Sequence, residues 1–167
     1  MLRLNIGSGQ RKFGPDGNWT NIDINYKWTP DVIADGAWMP MFADNSADVI
    51  VLHHILEHYG CGEGMPVIQE CHRILAPSGS LLVFVPDMWA LAGAWREGRL
   101  SDQLYFTNVF GAYMSDEADR HKFGFTKNSL YSALSRVFTK VIPFDWRKIE
   151  GMDAAKDWWV LHAEAIK

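Results

Sequence analysis

The chain has 167 residues, one domain's worth, and at that size it can bury a core without help from disulfides or a structural metal. Its formal net charge of -4 and the lack of any basic run argue against a surface built to neutralise nucleic-acid phosphates, and no apolar stretch approaches the ~20 residues needed to cross a bilayer. The two cysteines, Cys61 and Cys71, make no CxxC pair and no apolar signal segment opens the sequence, so a soluble, cytoplasmic chain with free thiols is expected.

Leu2 to Ile6 is an apolar run that reads as a first strand, and it passes at once into Gly7-Ser8-Gly9. Glycines there can take positive φ and let a ligand approach bare backbone at the carboxyl end of a parallel strand; a plain tight turn is the alternative for such a pair. Trp19 to Ile24 reads as a second strand carrying an acid, Asp23, near its tip. In a doubly wound sheet an acid at that place accepts the ribose hydroxyls of a nucleotide, although the spacing from the glycines is shorter than usual. Gln10 to Asn18, between the two strands, holds two glycines and a proline without helical period, so the crossover helix is expected to shrink to a turn or two.

Asp31 to Ala34 is a brief third strand closing on Asp35-Gly36-Ala37, and a loop from Met39 to Ser46 leads to a fourth strand, Asp48 to Leu52. Val67, Ile68, Cys71, Ile74 and Leu75 recur at helical spacing within Met65 to Leu75, and Pro66 falls in the first turn, where its missing amide does no harm. Ala76 to Gly79 has turn chemistry, and Ser80 to Val85 is an apolar run typical of a strand covered on both faces. Met88 to Trp95 and Leu104 to Met114 read as aromatic-rich helices, and Ser115 to Lys122 is polar, so residues 87–122 form an insert. Thr126 can cap a helix with Leu130, Leu134, Val137 and Phe138 on one face, and Lys140 to Trp146 with Trp158 to Ile166 reads as a closing antiparallel pair of strands. Alternating strands and helices without a linker make residues 1–167 a single α/β domain with one sheet.

Three separated stretches have to be explained together: LNIGSG followed by NID, DVIADGAWMPMFADNSADVIVLHHILEH, and CHRILAPSGSLLVFVPD. Together they resemble the class I methyltransferases that use S-adenosylmethionine, in particular the methyltransferase 11 type. The resemblance runs in detail from Leu2 to Asp87 and loosely over Phe123 to Phe138. It implies a Rossmann-like, doubly wound, mostly parallel sheet with an antiparallel last strand, and S-adenosylhomocysteine as the product left after methylation. It also implies that Asn5, Gly7, Ser8, Gly9 and His53 border the cofactor, that Asp23 takes both ribose hydroxyls, and that Asp35, Gly36 and Ala37 hold the adenine edge. Turn aspartates at strand ends are the plainer reading of Asp23 and Asp35. The sequence departs from the family in two ways: Gln10 stands where a third glycine is common, and no helix precedes the first strand.

His54-Ile55-Leu56-Glu57-His58 also fits the H-x-x-E-H pattern of zinc proteases. It directly follows a buried strand and precedes a glycine-rich break, which leaves little room for a metal-bearing helix, so no metal site is expected. By the resemblance these residues form the turn beside the transferred methyl, with His54 as the candidate base for a hydroxyl acceptor; His53, His58 and His121 are further candidates and are more simply packing or surface residues. The turn has neither an N-P-P-Y-like element nor a Pro-Cys pair, so a small-molecule or sugar hydroxyl leads as acceptor. Trp89, Trp95, Tyr105, Phe106, Phe110 and Tyr113 could stack on that acceptor or form core or a subunit interface, and a homodimer or complex is expected. The alternative from another class is a cofactor-binding, catalytically inactive partner or scaffold subunit. A nicotinamide dehydrogenase would want G-x-G-x-x-G opening a helix, which this sequence lacks.

Overall fold

A computed structural model describes residues 1–14, 18–111, 119–144 and 158–167. Its centre is one seven-stranded sheet in the order β3-β2-β1-β4-β5-β7-β6. The strands are β1 Arg3–Ile6, β2 Thr20–Asp23, β3 Val32–Ile33, β4 Ala47–His53, β5 Leu75–Pro86, β6 Lys140–Pro143 and β7 Val160–Ile166. The first five are mutually parallel, whereas β7 runs antiparallel to β5 and β6 antiparallel to β7. This is the doubly wound, mostly parallel sheet with an antiparallel end that the sequence implies. The sheet reverses its direction of growth between β1 and β4, and in open α/β sheets ligands bind in the crevice outside the strand ends at that point.

Period-two alternation sends alternate residues of each strand to different cores. Ile50 and Leu52 of β4 with Leu81, Val83 and Val85 of β5 join the larger cluster, to which the helix α1, Met65–Ile74, adds Val67, Ile68, Cys71 and Ile74. Leu130 and Leu134 of α4, Lys127–Leu134, complete it, and Phe138 packs there from the turn beyond the helix rather than from the helix itself. A reciprocal capping box between Thr126 and Ser129 starts α4. The opposite face buries Val51, Leu82 and Phe84 under Phe144 and Val160, with Phe13 and Trp19 from the loop between β1 and β2 packed at its edge.

That loop contains no helix among the described residues, and its backbone is satisfied by side chains instead. Asn5 Nδ2 donates to the Arg11 carbonyl and to Asn21 Oδ1, both at 2.9 Å, while Asn21 Oδ1 accepts from the Phe13 amide and Asn21 Nδ2 donates to the Phe13 carbonyl. Two buried asparagines thus do what helical hydrogen bonds would otherwise do.

Three boundaries differ from expectation. The strand β5 follows α1 directly, with Leu75 paired to Ala47 and Ser80 to Val49, so the turn-like Ala76 to Gly79 is an irregularity inside the strand with Ser78 at φ 66. The helix α2, Met88–Arg96, is capped by Asp87, and α3, Asp102–Phe110, starts two residues before Leu104 because Ser101 Oγ accepts from the Leu104 amide. It ends at Gly111, where φ is 79 and any Cβ would collide with the Asp119 carbonyl. Tyr113, Met114, Ser115 and Trp146 lie outside the described residues.

Candidate functional site

The carboxyl ends of β1 to β4 open into a cleft of about 260 Å³ at the point where the sheet reverses. Gly7 and Gly9 form its floor with φ of 68 and 48, values that L side chains adopt only with strain. A Cβ on Gly7 would overlap Ile55 Cδ1, so the glycine is required for close approach as well as for its dihedral. Asp23 is buried at the rim, where Oδ2 accepts from the Gly9 amide and Oδ1 from the Asn25 amide, each at 2.8 Å. Further along, exposed Ile24 and the Ala34-Asp35-Gly36 corner face Ile55 across the cleft. Asp35 Oδ1 accepts from the Ala37 amide at 2.9 Å and from the Tyr59 hydroxyl at 3.3 Å; Oδ2 takes no hydrogen bond among the described residues. Burial, reinforced by the Asp35 carboxylate, pushes the Tyr59 phenol up to about 12, so it remains a donor.

The other wall of the cleft is the turn after β4. His54 takes a left-handed backbone, φ 56, with its amide donating to the Phe84 carbonyl at 2.9 Å. Its Nδ1 meets Glu57 Oε1 at 2.9 Å; the histidine side chain is 24% exposed and the glutamate 1%. The His54 ring also lies beside Trp159, with centroids 5.5 Å apart. A carboxylate on Nδ1 fixes the tautomer that leaves Nε2 as the basic nitrogen. The sequence reading left Glu57 without a role, although its i, i+3 spacing from His54 was the available signal.

The remaining expected residues are placed as follows. Ser8 is buried beneath the glycine turn, its amide on the Ile22 carbonyl and its Oγ with no partner among the described residues. Asn5 belongs to the asparagine network behind the cleft. His53 points away from it as well: Nε2 sits 2.7 Å from Arg11 Nη1, and the ring packs on Phe84. Burial, with the nearby charges of His54, Arg11 and His162, pushes the His53 imidazole down to about 3.

Similar folds occur among solved structures. A SAM-dependent methyltransferase from Archaeoglobus fulgidus superposes over 99% of this chain and 86% of its own with a TM-score of 0.65 and 15% identity. The 1,6-didemethyltoxoflavin-N1-methyltransferase of Burkholderia thailandensis, bound to its substrate and S-adenosylhomocysteine, matches 99% of this chain and 70% of its own at a TM-score of 0.61 and 15% identity. The CurJ carbon methyltransferase matches 99% of this chain but only 48% of its own, at a TM-score of 0.61 and 17% identity. At these identities the likeness is one of fold. No curated protein matches by sequence. The sequence model of the methyltransferase 11 family, described as a methyltransferase domain, matches residues 9–83. That span of the chain therefore resembles a methyltransferase domain in sequence, and the whole chain shares the fold of S-adenosylmethionine-dependent methyltransferases.

The span matched by the methyltransferase model takes in Gly9, Asp23, Asp35 and the His54 turn, which meet at the cleft. Gln10, in place of a third glycine, is exposed and does not line it. The insert reaches the site through Asp119, which lines the cleft beside His58. Among the described residues no helix is long and apolar enough to cross a membrane.

Proposed function

We propose that the chain methylates a hydroxyl of a small molecule or sugar, with S-adenosylmethionine as donor and His54 as the base that takes the hydroxyl proton. The observation that carries this reading is the His54–Glu57 pair, held at 2.9 Å on the wall of the cleft that Gly7, Gly9 and Asp23 also line. The residues present fit the donor. Asp23 has acceptor capacity left on both oxygens for a ribose diol, Asp35 Oδ2 is open for an exocyclic amine, and Ile24 with Ile55 offers apolar walls for a flat base. Gly36 lines the same corner, the next residue Ala37 has its amide on Asp35 Oδ1, and Ser8 Oγ has no partner among the described residues. When bound, S-adenosylmethionine supplies a methyl carbon already activated by its sulfonium, so the protein mainly provides alignment and a dry pocket.

His54 Nε2 accepts the acceptor's proton, and the resulting imidazolium is stabilised by the Glu57 carboxylate, to which Nδ1 keeps donating its hydrogen. A nitrogen acceptor, as named for the toxoflavin enzyme, has less need of such a base because its lone pair can attack before a proton is lost, whereas an activated carbon acceptor, as named for the CurJ enzyme, would need one as a hydroxyl does. A homodimer or complex is part of this reading: Trp89, Leu104, Phe106 and Phe110 of α2 and α3 are exposed, which supports association through the insert. So is a cytoplasmic setting. Screening small hydroxylated compounds, sugars included, for release of S-adenosylhomocysteine tests the activity. Cofactor binding without turnover on any acceptor would favour the inactive partner subunit instead.

A further inference from the structure

Two histidines and a glutamate from separate parts of the chain meet at the outer end of the cleft. Glu57 and His58 stand on the turn after β4, and His121 belongs to the segment returning from α3 toward α4. The backbone ties these parts together, because the amides of Lys122 and Phe123 both donate to the Glu57 carbonyl, at 2.8 and 3.1 Å. One ligand-capable atom from each of Glu57, His58 and His121 lies within 4.8 Å of the other two.

The hydrogen bonds around this cluster decide which atoms are free. His58 Nδ1 faces the Arg120 carbonyl at 3.2 Å and His121 Nδ1 faces the Asn108 carbonyl at 2.9 Å. A carbonyl only accepts, so each Nδ1 carries the hydrogen and each Nε2 is left as a bare lone pair, the arrangement in which histidines ligate metals. Glu57 Oε1 is taken by His54, whereas Oε2 is buried and has no hydrogen-bond partner among the described residues. A buried carboxylate oxygen without a partner is costly, and a cation would satisfy it.

We propose that His58 Nε2, His121 Nε2 and Glu57 Oε2 bind a divalent transition-metal ion of the zinc class, with a coordination position left open toward the cleft. Two imidazoles and a carboxylate suit Zn²⁺ or Co²⁺, while Mg²⁺ and Ca²⁺ demand oxygen ligands. Bonds of about 2.1 Å in a tetrahedron put ligand atoms about 3.4 Å apart, so the three side chains, which already bring ligand-capable atoms within 4.8 Å of one another, must draw closer to close on the ion. The ligand set is not the His54 and His58 pair that an H-x-x-E-H pattern suggests, since His54 Nδ1 is committed to Glu57 and the turn is a single 3-10 turn, Leu56–His58. His58 and Asp119 line the cleft, which places the open position there. The ion pins the insert to the His54 turn; that it also receives the acceptor oxygen rests on the methyl-transfer reading, whereas metal binding does not.

The test uses the full chain, stripped with a chelator and titrated with Co²⁺, followed by its visible d–d bands and by competition with a chromophoric chelator. One equivalent should bind, Zn²⁺ should displace it and excess Mg²⁺ should not. His121→Asn keeps a donor for the Asn108 carbonyl but removes Nε2, and should weaken Co²⁺ binding by more than about 100-fold, the upper end of what losing even an outer-shell partner costs. Its S-adenosylhomocysteine affinity, measured by calorimetry, should stay within a few-fold of wild type. A second measurement on the wild-type chain does not depend on any variant folding: Zn²⁺ should shift the Nε2 resonances of two of the six histidines. No Co²⁺ bands at one equivalent, unshifted histidine resonances, or unchanged affinity in His121→Asn would each overturn the site. Failure of the wild-type chain to bind S-adenosylhomocysteine would instead count against the methyltransferase reading alone.

Discussion

Removing the Asp23 carboxylate should separate two tasks that it performs. Its oxygens accept from the Gly9 and Asn25 amides at 2.8 Å each, so it fastens the glycine turn to the tip of β2 whether or not a ligand is bound. A carboxylate has about four acceptor sites, which leaves about two for a ribose diol. In Asp23→Ala both amides lose their partner, and because Gly9 and Asn25 are only half-buried the low end of about 1–3 kcal/mol per unmet donor applies, or about 2 kcal/mol of stability in all. Losing charge-assisted hydrogen bonds to the ligand should cost a further 1.5–3 kcal/mol or so, which is roughly 10- to 150-fold in affinity. Denaturant unfolding measures the first effect, and calorimetry with S-adenosylhomocysteine, at a temperature where the variant is folded, measures the second. A variant that loses stability yet binds as tightly as wild type would make Asp23 a fastening for the turn and nothing more.

Four other outcomes follow from the same geometry. His54→Ala should leave cofactor affinity nearly intact and slow transfer to a hydroxyl acceptor by roughly 10²–10⁴-fold; a rate within a few-fold of wild type would reduce His54 to aligning the substrate. Gly7→Ala forces a side chain onto a φ of 68 and into Ile55, so it should abolish cofactor binding, and Ile55→Ala in the same chain should restore part of it by removing the collision. The His53 imidazole, held neutral by burial and by Arg11, His54 and His162, has its pKa pushed from 6.5 down to about 3, so the unfolded chain binds its proton first. Stability should therefore fall as pH drops below about 6.5, by at most about 1.4 kcal/mol per pH unit, and the slope between pH 6 and 4 should flatten in His53→Gln; an unchanged slope would show the proton goes elsewhere. Light scattering should show a dimer or larger assembly that Phe106→Glu disrupts, and a monomer at high concentration would refute association through the insert.

The strands and the two core helices were legible because each buries a regular stripe. Val67, Ile68, Cys71 and Ile74 mark α1 by period alone, and the unbroken apolar run through Val85 marks a strand covered on both sides. Boundaries were less so where a side chain or a long-range pairing decides them: Ser101 moves the start of α3, and pairing of Leu75 with Ala47 draws the strand β5 back to the end of α1. The cleft was readable because its parts are strand ends, which sequence places well. Glu57 was not, because its contact depends on a 3-10 turn that brings it to the His54 ring; His121 was singled out only as a further candidate base, and its meeting with His58 was hidden because 63 positions separate them and only the fold joins them.

The positive φ at His54 is what turns a strand end into a wall of the site. Up to His53, side chains of β4 alternate between the two faces, and His53 duly packs on Phe84 and Arg11 behind the sheet. A continued strand would carry the chain on past the crevice. Instead the left-handed residue, anchored through its amide to the Phe84 carbonyl, folds the chain back so that Ile55 packs over Gly7 and Glu57 comes within 2.9 Å of the His54 ring. Such a backbone costs of order 1 kcal/mol for a histidine, and it persists only where the surroundings hold it. Here the holding contacts are the Glu57 pair and the two amides of the insert on the Glu57 carbonyl, so the residue that meets the His54 ring also receives the segment that reaches the end of the cleft. The two contacts meet at one residue but use different groups of it: the buried carboxylate of Glu57 holds the His54 ring, and its backbone carbonyl receives the Lys122 and Phe123 amides, so Glu57→Gln should disturb the ring while leaving the docking hydrogen bonds in place.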